Sequence, residues 1–281
     1  MHTAEKLIDS ALSEDIGAGD ITTDNLVAPG QTGTAIILAK EPMVLAGLAV
    51  ATRVFEKLDP GLQIDTRYAD GDELMVGSQI MSLAGHLGPL LRGERTALNF
   101  LQRMSGIATH VRLYAAAVSK YPVRLVDTRK TTPGWRVLEK YAVRVGGAAN
   151  HRMGLYDGVL IKDNHIAACG SITTAVTRVR ANISHLAKIE VEVGTLDEVA
   201  EALGAGAEVI MLDNMNLDEI RAAVAQINRR AIVEVSGNVS LEKLPALAQT
   251  CVDIISVGAL THQARSVDIS MRIAPGDAPA G

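Results

Sequence analysis

The sequence predicts an α/β protein whose C-terminal half is built around a parallel β-sheet. From about residue 121, short runs of β-branched residues alternate with helical stretches, and the runs are almost continuously apolar, as in a sheet covered on both faces. Polar residues collect at the C-terminal end of each run, and glycine-containing turns follow the last two. These observations favour an α/β barrel, incomplete because six strands are visible instead of eight. A doubly wound open sheet would also gather ligands at that edge.

The predicted elements of the N-terminal part mix both periodicities. Residues 3–14 and 45–58 predict helices, 32–41 predict a strand, and DGDEL (70–74) and GSQIMSLAG (77–85) predict a turn followed by a strand. Residues 91–120 predict a long helix that Gly106 could interrupt. In the C-terminal part the predicted strands are 123–129, 158–164, 188–194, 208–214, 231–237 and 253–259, and the predicted helices are 171–184, 195–205, 216–227 and 240–250.

Composition excludes several classes of protein. The 281 residues are 48 % hydrophobic and 21 % charged, the balance of a folded globular protein. No apolar run is long enough to predict a membrane span, and the N-terminus reads as a short amphipathic helix instead of a signal peptide. Cys169 and Cys251 have no metal-ligand spacing and are interpreted as buried thiols, which favours a reducing, cytoplasmic setting.

The charge distribution predicts a site for a small polyanion. The net charge of −5 disfavours a general nucleic-acid role. Residues 121–165 nevertheless hold eight Lys or Arg against four Asp or Glu. A basic island in an acidic protein can focus a polyanionic ligand, and the alternative is a solvated helix face.

The basic residues of this island divide into two groups. Arg129, Lys130 and Lys162 sit at the ends of apolar strands, where a charge must meet a ligand or a carboxylate. Arg136, Lys140 and Arg144 recur once per helical turn, and for Lys140 and Arg144 we expect a helix surface. His151, Arg152 and His165 lie in the same stretch, without the spacing of a transition-metal site.

Two further groups follow the later strands. Glu192 and Asp213 each end an apolar run, where they either hold Mg²⁺ on a pyrophosphate or pair with the cations as a structural network. Small residues after the last two strands let main-chain N–H groups approach a phosphate. These residues are Ser236, Gly237, Asn238 and Gly258, with His262 just beyond.

Longer motifs carry a family resemblance over nearly the whole chain. They are EDIGAGDITT (14–23), GERTALNFLQRMSGIAT (93–109), DTRKTTPG (127–134), LEKYAVRVGGAANHRMGLYDGVLIKDNHI (138–166), IEVEV (189–193), IMLDNM (210–215), EVSGN (234–238) and SVGALTH (256–262). With these motifs the sequence resembles the quinolinate phosphoribosyltransferases, also called carboxylating nicotinate-nucleotide pyrophosphorylases. The resemblance implies an N-terminal α/β sandwich domain, residues 1–115 with 265–276 returning to it, and a C-terminal incomplete α/β barrel, residues 116–264. We expect residues 277–281 to be a disordered tail.

The resemblance also implies an activity and the residues that carry it. Quinolinate and phosphoribosyl pyrophosphate would give nicotinate mononucleotide, pyrophosphate and CO₂, a step of NAD biosynthesis, with Mg²⁺ on the pyrophosphate. Quinolinate would meet residues matching Arg95, Arg129, Lys130, His151, Arg152 and Lys162; the ribose, pyrophosphate and Mg²⁺ would lie near Glu192 and Asp213; the phosphate turns would match Ser236, Gly237, Asn238, Gly258 and His262. Of these, Lys130, Lys162, Glu192 and Asp213 are the expected catalytic residues. Asn238 stands where many relatives have a second glycine, and Asn tolerates the left-handed backbone that such a turn needs.

Arg95 raises the question of assembly. It is expected near the start of the long helix, where a positive charge opposes the helix dipole, so a salt bridge with Glu94 or another neighbour is one interpretation. The resemblance implies the other, that this arginine completes the active site of another subunit in a homodimer or larger assembly.

Three rival functions remain open from the sequence. One is a paralogous pyrophosphorylase associated with metal transport, against which the intact KDNHI and NHR motifs argue. The others are a nicotinate phosphoribosyltransferase, which would need fewer basic groups, and a phosphate-binding sensor, which would need no acidic pair.

Overall fold

A computed structural model describes residues 2–275 of the chain, which form two compact units. The first comprises the chain up to Arg112, residues 132–147 and the residues from Ala264 onward; the second comprises residues 113–131 and 148–263. The segment 132–147, expected in the barrel domain, thus belongs to the first unit. The predicted disordered tail, 277–281, lies outside the described residues.

The first unit is built on an antiparallel sheet of four strands in the order β12-β1-β5-β3. In β1, alternate residues are buried, as the pattern of one covered face requires. A separate pair, β2 and β4, is also antiparallel. The strands are β1 (Thr32–Ala39), β2 (Met43–Val44), β3 (Gln63–Thr66), β4 (Glu73–Leu74), β5 (Gln79–His86) and β12 (Ile269–Pro275).

The helices of the first unit are α1 (His2–Ile16), α2 (Ile21–Leu26), α3 (Leu48–Leu58), α4 (Leu87–Val118), which runs on into the second unit, and α5 (Arg136–Gly146). Helix α4 is continuous through Gly106, so the expected interruption is wrong. Because α4 begins at Leu87, Arg95 lies in its third turn, and the expectation that it lies near the helix start is also wrong.

Residues 132–147 are tied to α4 by polar and aromatic contacts inside the first unit. The buried carboxylate of Glu139 accepts hydrogen bonds from Arg103 Nη2 at 2.8 Å and from Thr132 Oγ1 at 2.8 Å. Trp135 stacks on Phe100 with ring centroids 4.9 Å apart. A carboxylate buried this deeply is stable only when it is paired, which holds the segment in place.

The second unit is a parallel sheet of six strands in the order β6-β11-β10-β9-β8-β7. Among the described residues β6 and β7 are edge strands that do not pair with each other, so the barrel is incomplete, as predicted. The strands are β6 (Arg124–Val126), β7 (Val159–Ile161), β8 (Ile189–Val193), β9 (Val209–Asp213), β10 (Ile232–Ser236) and β11 (Ile254–Ser256). All six lie within predicted strands.

The helices of the second unit follow the strands. They are α6 (Asp163–Cys169), α7 (Ile172–Arg180), α8 (Leu196–Gly204), α9 (Leu217–Ile227), α10 (Leu244–Ala248), preceded by a 3₁₀ turn at Leu241–Lys243, and α11 (Ala259–His262). Capping boxes start α8 at Thr195 and α9 at Asn216, which satisfies main-chain N–H groups at these helix starts. The predicted strand 158–164 is too long, because β7 ends at Ile161 and Asp163 begins α6.

The cysteines differ from the prediction, and the described helices agree with the absence of a predicted membrane span. Both cysteines are free thiols, but neither is buried: Cys251 is exposed and Cys169 partly so, which corrects the expected burial. Within residues 2–275, no helix combines the length and apolarity that crossing a membrane demands.

Gly106 is predicted to be essential for packing rather than for bending α4. A β-carbon at this position would lie 2.0 Å from the carbonyl oxygen of Arg265, within the first unit. We expect Gly106→Ala to lower the free energy of unfolding by about 1–3 kcal/mol, the usual cost of overpacking. Gly88→Ala, in the same helix with its nearest neighbour at 3.7 Å, is the control and should lose nothing. Urea unfolding of both variants decides the matter, and equal stability would contradict this reading of Gly106.

Candidate active site

A cavity of about 580 Å³ opens at the C-terminal ends of the parallel strands, and every residue that lines it belongs to the second unit. The structure brings together in its lining all the predicted site residues except Arg95. They are Arg129, Lys130, His151, Arg152, Lys162, Glu192, Asp213, Ser236, Gly237, Asn238, Gly258 and His262. This is the edge at which α/β barrels place their active sites.

Unpaired positive charge dominates one side of the cavity. Arg129 and Lys130 follow β6, and within residues 2–275 neither side chain makes a hydrogen bond or ion pair. Thr261 Oγ1 donates to the main-chain oxygen of Lys130 at 2.7 Å and fixes the backbone there. Burial lowers the pKa of Arg152, and the nearby charge of Arg129 lowers it further. The repulsion between these two guanidinium groups favours the binding of an anion near them.

Lys162 and Glu192 form an ion pair across the cavity. Lys162 is also the N-cap of α6, where its main-chain N–H donates to His165 Nδ1 at 3.0 Å. His165 therefore has a local structural contact and does not line the cavity. Glu192 thus pairs with a cation, which is one of the two interpretations that the sequence allowed for the acidic residues.

Asp213 anchors the turn on the opposite side. Asn214 Nδ2 donates to Asp213 Oδ2 at 2.7 Å, and Asn238 Nδ2 donates to Asn214 Oδ1 at 3.1 Å. Gly237 has φ +89°, and a β-carbon there would lie 2.3 Å from Asn214 Oδ1. As expected, Asn238 adopts the left-handed conformation, with φ +47°. The turn after β10 therefore presents main-chain groups to the cavity without a side chain in the way.

His151 is held by protein groups at both ring nitrogens. The main-chain N–H of Arg152 donates to Nδ1 at 2.8 Å, and Nε2 lies 3.2 Å from Glu190 Oε2. Burial alone would lower the pKa of His151, but hydrogen bonds and charge interactions with Glu190 and Glu234 outweigh it and raise the pKa to about 9. His151 therefore forms part of the cavity wall and is fixed there by its protein partners.

Some residues of this site were not singled out from the sequence. Asn214 and Glu190 were not, although both lie in quoted motifs. The sequence contains one sign of the role of Glu190, because a carboxylate stands at the second position of the apolar run IEVEV. That sign can be interpreted only when it is known which face of the strand points into the barrel.

Other basic residues of the island lie outside this cavity. Arg136, Lys140 and Arg144 are on α5 in the first unit. The expected surface position is correct for Arg144 and wrong for Lys140, which is 1 % exposed. Arg95, on α4, is exposed and makes no ion pair with Glu94 within the described residues, so the salt-bridge interpretation has no support.

Comparison with known proteins agrees with this architecture. The model of the quinolinate phosphoribosyl transferase C-terminal domain matches residues 107–272, and that of the N-terminal domain matches residues 20–105. A probable nicotinate-nucleotide pyrophosphorylase (carboxylating) of Synechocystis is 49 % identical over 93 % of this chain and 90 % of its own length. A Bacillus subtilis protein with the same description is 46 % identical over 96 % and 93 %.

A solved structure shows the same fold. The crystal structure of NadC from Streptococcus pyogenes superposes with a TM-score of 0.94 at 40 % identity and covers 98 % of both chains. Family models that together span both units, with relatives at this level of identity, show that the chain belongs to the quinolinate phosphoribosyltransferase family.

Proposed function

We propose that the cavity in the second unit is where this chain carries out the reaction of its family, the decarboxylating transfer of phosphoribose to quinolinate in NAD biosynthesis. The observation that carries this assignment is the cluster of Arg129, Lys130 and Arg152, which has more positive charge than the surrounding carboxylates compensate. A small dicarboxylate is the ligand that such a cluster fits.

The basic residues would bind and orient the pyridine ring. The guanidinium groups of Arg129 and Arg152 can each receive a carboxylate through two hydrogen bonds, and Lys130 adds a mobile point charge. Because both ring nitrogens of His151 have protein partners, we assign it to supporting Arg152 and not to direct contact with the substrate.

The chemistry then requires alignment more than a protein nucleophile. The pyridine nitrogen attacks C1 of the ribose as pyrophosphate leaves, and the resulting positive charge on the ring stabilises the electron pair left when the 2-carboxylate departs as CO₂. Positioning the two substrates and stabilising the leaving group supply most of the rate enhancement in such a reaction. Lys162 can serve this end if its ammonium turns from Glu192 toward the incoming anion.

The phosphate groups would occupy the part of the cavity that follows β10 and β11, which includes the side chain of Lys130, because a β-carbon at Gly258 would lie 2.8 Å from Lys130 Cδ. The turn Ser236–Asn238 and the start of α11, at Gly258, present main-chain groups there, and His262 lies beside them. Glu192 and Asp213 offer two carboxylates, a donor set that fits Mg²⁺, because this ion keeps waters and takes substrate phosphates as its remaining ligands. When bound, Mg²⁺ would neutralise charge on the departing pyrophosphate.

The assembly and setting follow from the family resemblance and the sequence. We propose a homodimer or larger assembly in which Arg95 of one subunit completes the site of another, consistent with its exposed position on α4 and lack of an ion pair among the described residues. The free thiols are compatible with the cytoplasm. We propose neither nucleic acid nor a membrane as a partner.

Substrate choice tests the proposed function most simply. Incubation with phosphoribosyl pyrophosphate, Mg²⁺ and quinolinate should release one CO₂ per nicotinate mononucleotide, measured by mass spectrometry and ¹⁴CO₂ capture. Nicotinate should give no product, because a single carboxylate leaves part of the basic cluster uncompensated. Equal turnover of the two acids would contradict the assignment.

Removal of the metal or of its carboxylates should abolish most of the activity. We expect EDTA to stop turnover, and Glu192→Ala or Asp213→Ala to lower kcat by about 10²–10³-fold, the size of effect seen for a comparable electrostatic contact. Asp197→Asn, an exposed carboxylate on α8, is the matched control and should change nothing. Full turnover in EDTA by the variant that carries both Glu192→Ala and Asp213→Ala would show that the reaction needs neither Mg²⁺ nor these carboxylates.

Subunit mixing tests the role of Arg95. Arg95→Ala and Lys130→Ala should each be inactive, because each removes a cation from every site. After dissociation and reassociation of a mixture, about half of the dimers are mixed and hold one complete site of two, so activity should return to about a quarter of wild type. If subunits exchange and no activity returns, Arg95 acts within its own subunit.

A further inference from the structure

The interior of the barrel holds a buried cluster of three titratable groups, Glu190 on β8, Glu234 on β10 and His151. Glu190 is 7 % exposed and Glu234 1 %. His151 Nε2 lies 3.2 Å from Glu190 Oε2 and 3.6 Å from Glu234 Oε1. Neither carboxylate lines the active-site cavity, so neither is placed to touch a substrate there.

The cluster lies directly behind the active-site cavity. A second cavity, of about 700 Å³, opens at the N-terminal ends of the strands and is lined by both carboxylates. His151 and Arg152 line both cavities. They are therefore the residues through which the buried carboxylates can influence the site.

Hydrogen bonding fixes the tautomer of His151. Since the main-chain N–H of Arg152 donates to Nδ1, that nitrogen carries a lone pair and the ring proton is on Nε2. The Nε2–H then donates to Glu190 Oε2. A metal ion would need the Nε2 lone pair, so the geometry is that of a hydrogen-bonded cluster and not of a metal centre.

A proton shared by the two carboxyl groups completes the cluster. Oε1 of Glu190 and Oε1 of Glu234 are both buried and have no hydrogen-bond partner among the described residues. A proton on Glu190 Oε1 would satisfy both, because it can donate to Glu234 while Glu190 Oε2 still accepts from His151. Burial raises the pKa of Glu190; the hydrogen bond from His151 opposes this, and the charge of Glu234 adds to it. The shared proton removes one of the two negative charges that raise the pKa of His151, and burial, which lowers that pKa, then favours the neutral ring that the contact at Nδ1 requires. The cluster then carries one negative charge.

This negative charge and the His151 ring both act on Arg152. The negative charge that Glu190 shares with Glu234 stabilises the guanidinium of Arg152, against the repulsion from Arg129. The ring fixes the Arg152 main chain through Nδ1, and Arg152 Nη1 also donates to the carbonyl oxygen of Gly158 at 3.0 Å. Asp127 Oδ1 accepts from the main-chain N–H of His151 at 2.9 Å and holds the other side of the loop.

We propose that Glu190 and Glu234 are positioning residues for the transferase reaction: through His151 they set the direction in which Arg152 presents its guanidinium to the substrate carboxylate. This inference rests on the proposed binding of quinolinate by Arg152. If the inference is right, changes in the cluster raise KM for quinolinate more than KM for phosphoribosyl pyrophosphate.

Steady-state kinetics of the full-length enzyme separate positioning from general stability. Glu190→Ala should raise KM for quinolinate about tenfold, the cost of leaving a buried charged hydrogen-bond partner unsatisfied, and KM for phosphoribosyl pyrophosphate less than about twofold. Glu190→Gln should restore most of the loss, because the amide can donate to Glu234 and accept from His151. The double variant Glu190→Gln/Glu234→Gln should lose it again, because no negative charge remains.

Asp218→Asn, an exposed carboxylate of the same unit paired with Arg221, is the control and should leave both KM values unchanged. If Glu190→Gln is as damaging as Glu190→Ala, the shared proton is wrong. If both KM values rise together in the double variant, the cluster is only structural and the proposal fails.

The cluster can also be tested without turnover. In ¹⁵N NMR of the His-labelled enzyme, the His151 resonance should show an unprotonated Nδ1 and a protonated Nε2 at pH 7, and Glu190→Ala should perturb this pattern. A protonated Nδ1 in the wild type would overturn the proposal. Failure of the wild type to use quinolinate would instead overturn the proposed function, so the two failures are distinguishable.

Discussion

The active site depends on keeping the guanidinium groups of Arg129 and Arg152 near each other in a partly enclosed cavity, where Glu190 and Asp157 offset only part of the repulsion and burial. Arg129 lies near enough to Arg152 for its charge to lower the pKa of Arg152, and burial lowers it further. Such an arrangement costs free energy in the empty protein and becomes favourable when a dicarboxylate is bound. The sheet, the loops and the buried acids around the cavity can each be understood as means of holding these charges in place.

The parallel sheet supplies the rigid frame for this arrangement. Each strand ends at the same edge, so residues far apart in sequence, from Arg129 to His262, line one cavity. Glycine at position 237 lets the turn after β10 approach Asn214, which orders the side of the cavity opposite the cations. On the inner side, Glu190 and Glu234 provide the negative charge that makes the position of Arg152 tolerable. The same cavity thus combines a group of cations with turns that expose main-chain groups.

Much of this could be predicted from the sequence, because the signals are local. The six parallel strands are short β-branched runs, and the helix starts at Thr195 and Asn216 carry capping boxes. Because the strands are parallel, the residues that follow them all lie at the same edge of the sheet, where they line the cavity.

What could not be predicted depends on contacts between distant parts of the chain. Helical spacing placed Lys140 on one face of α5 but could not show that this face is covered. The role of Gly106 depends on the approach of Arg265. The alternating pattern around Glu190 does not reveal which side chains point into the barrel, so the cluster behind His151 became visible only in three dimensions.

The most direct test of the central claim is a crystal structure of the enzyme with quinolinate bound and phosphoribosyl pyrophosphate absent. We expect the pyridine ring in the cavity of the second unit, with its carboxylates paired to Arg129 and Arg152 and the ring of His151 still held between Arg152 and Glu190. Quinolinate bound at any other surface, or bound in this cavity with its carboxylates away from both arginines, would contradict it.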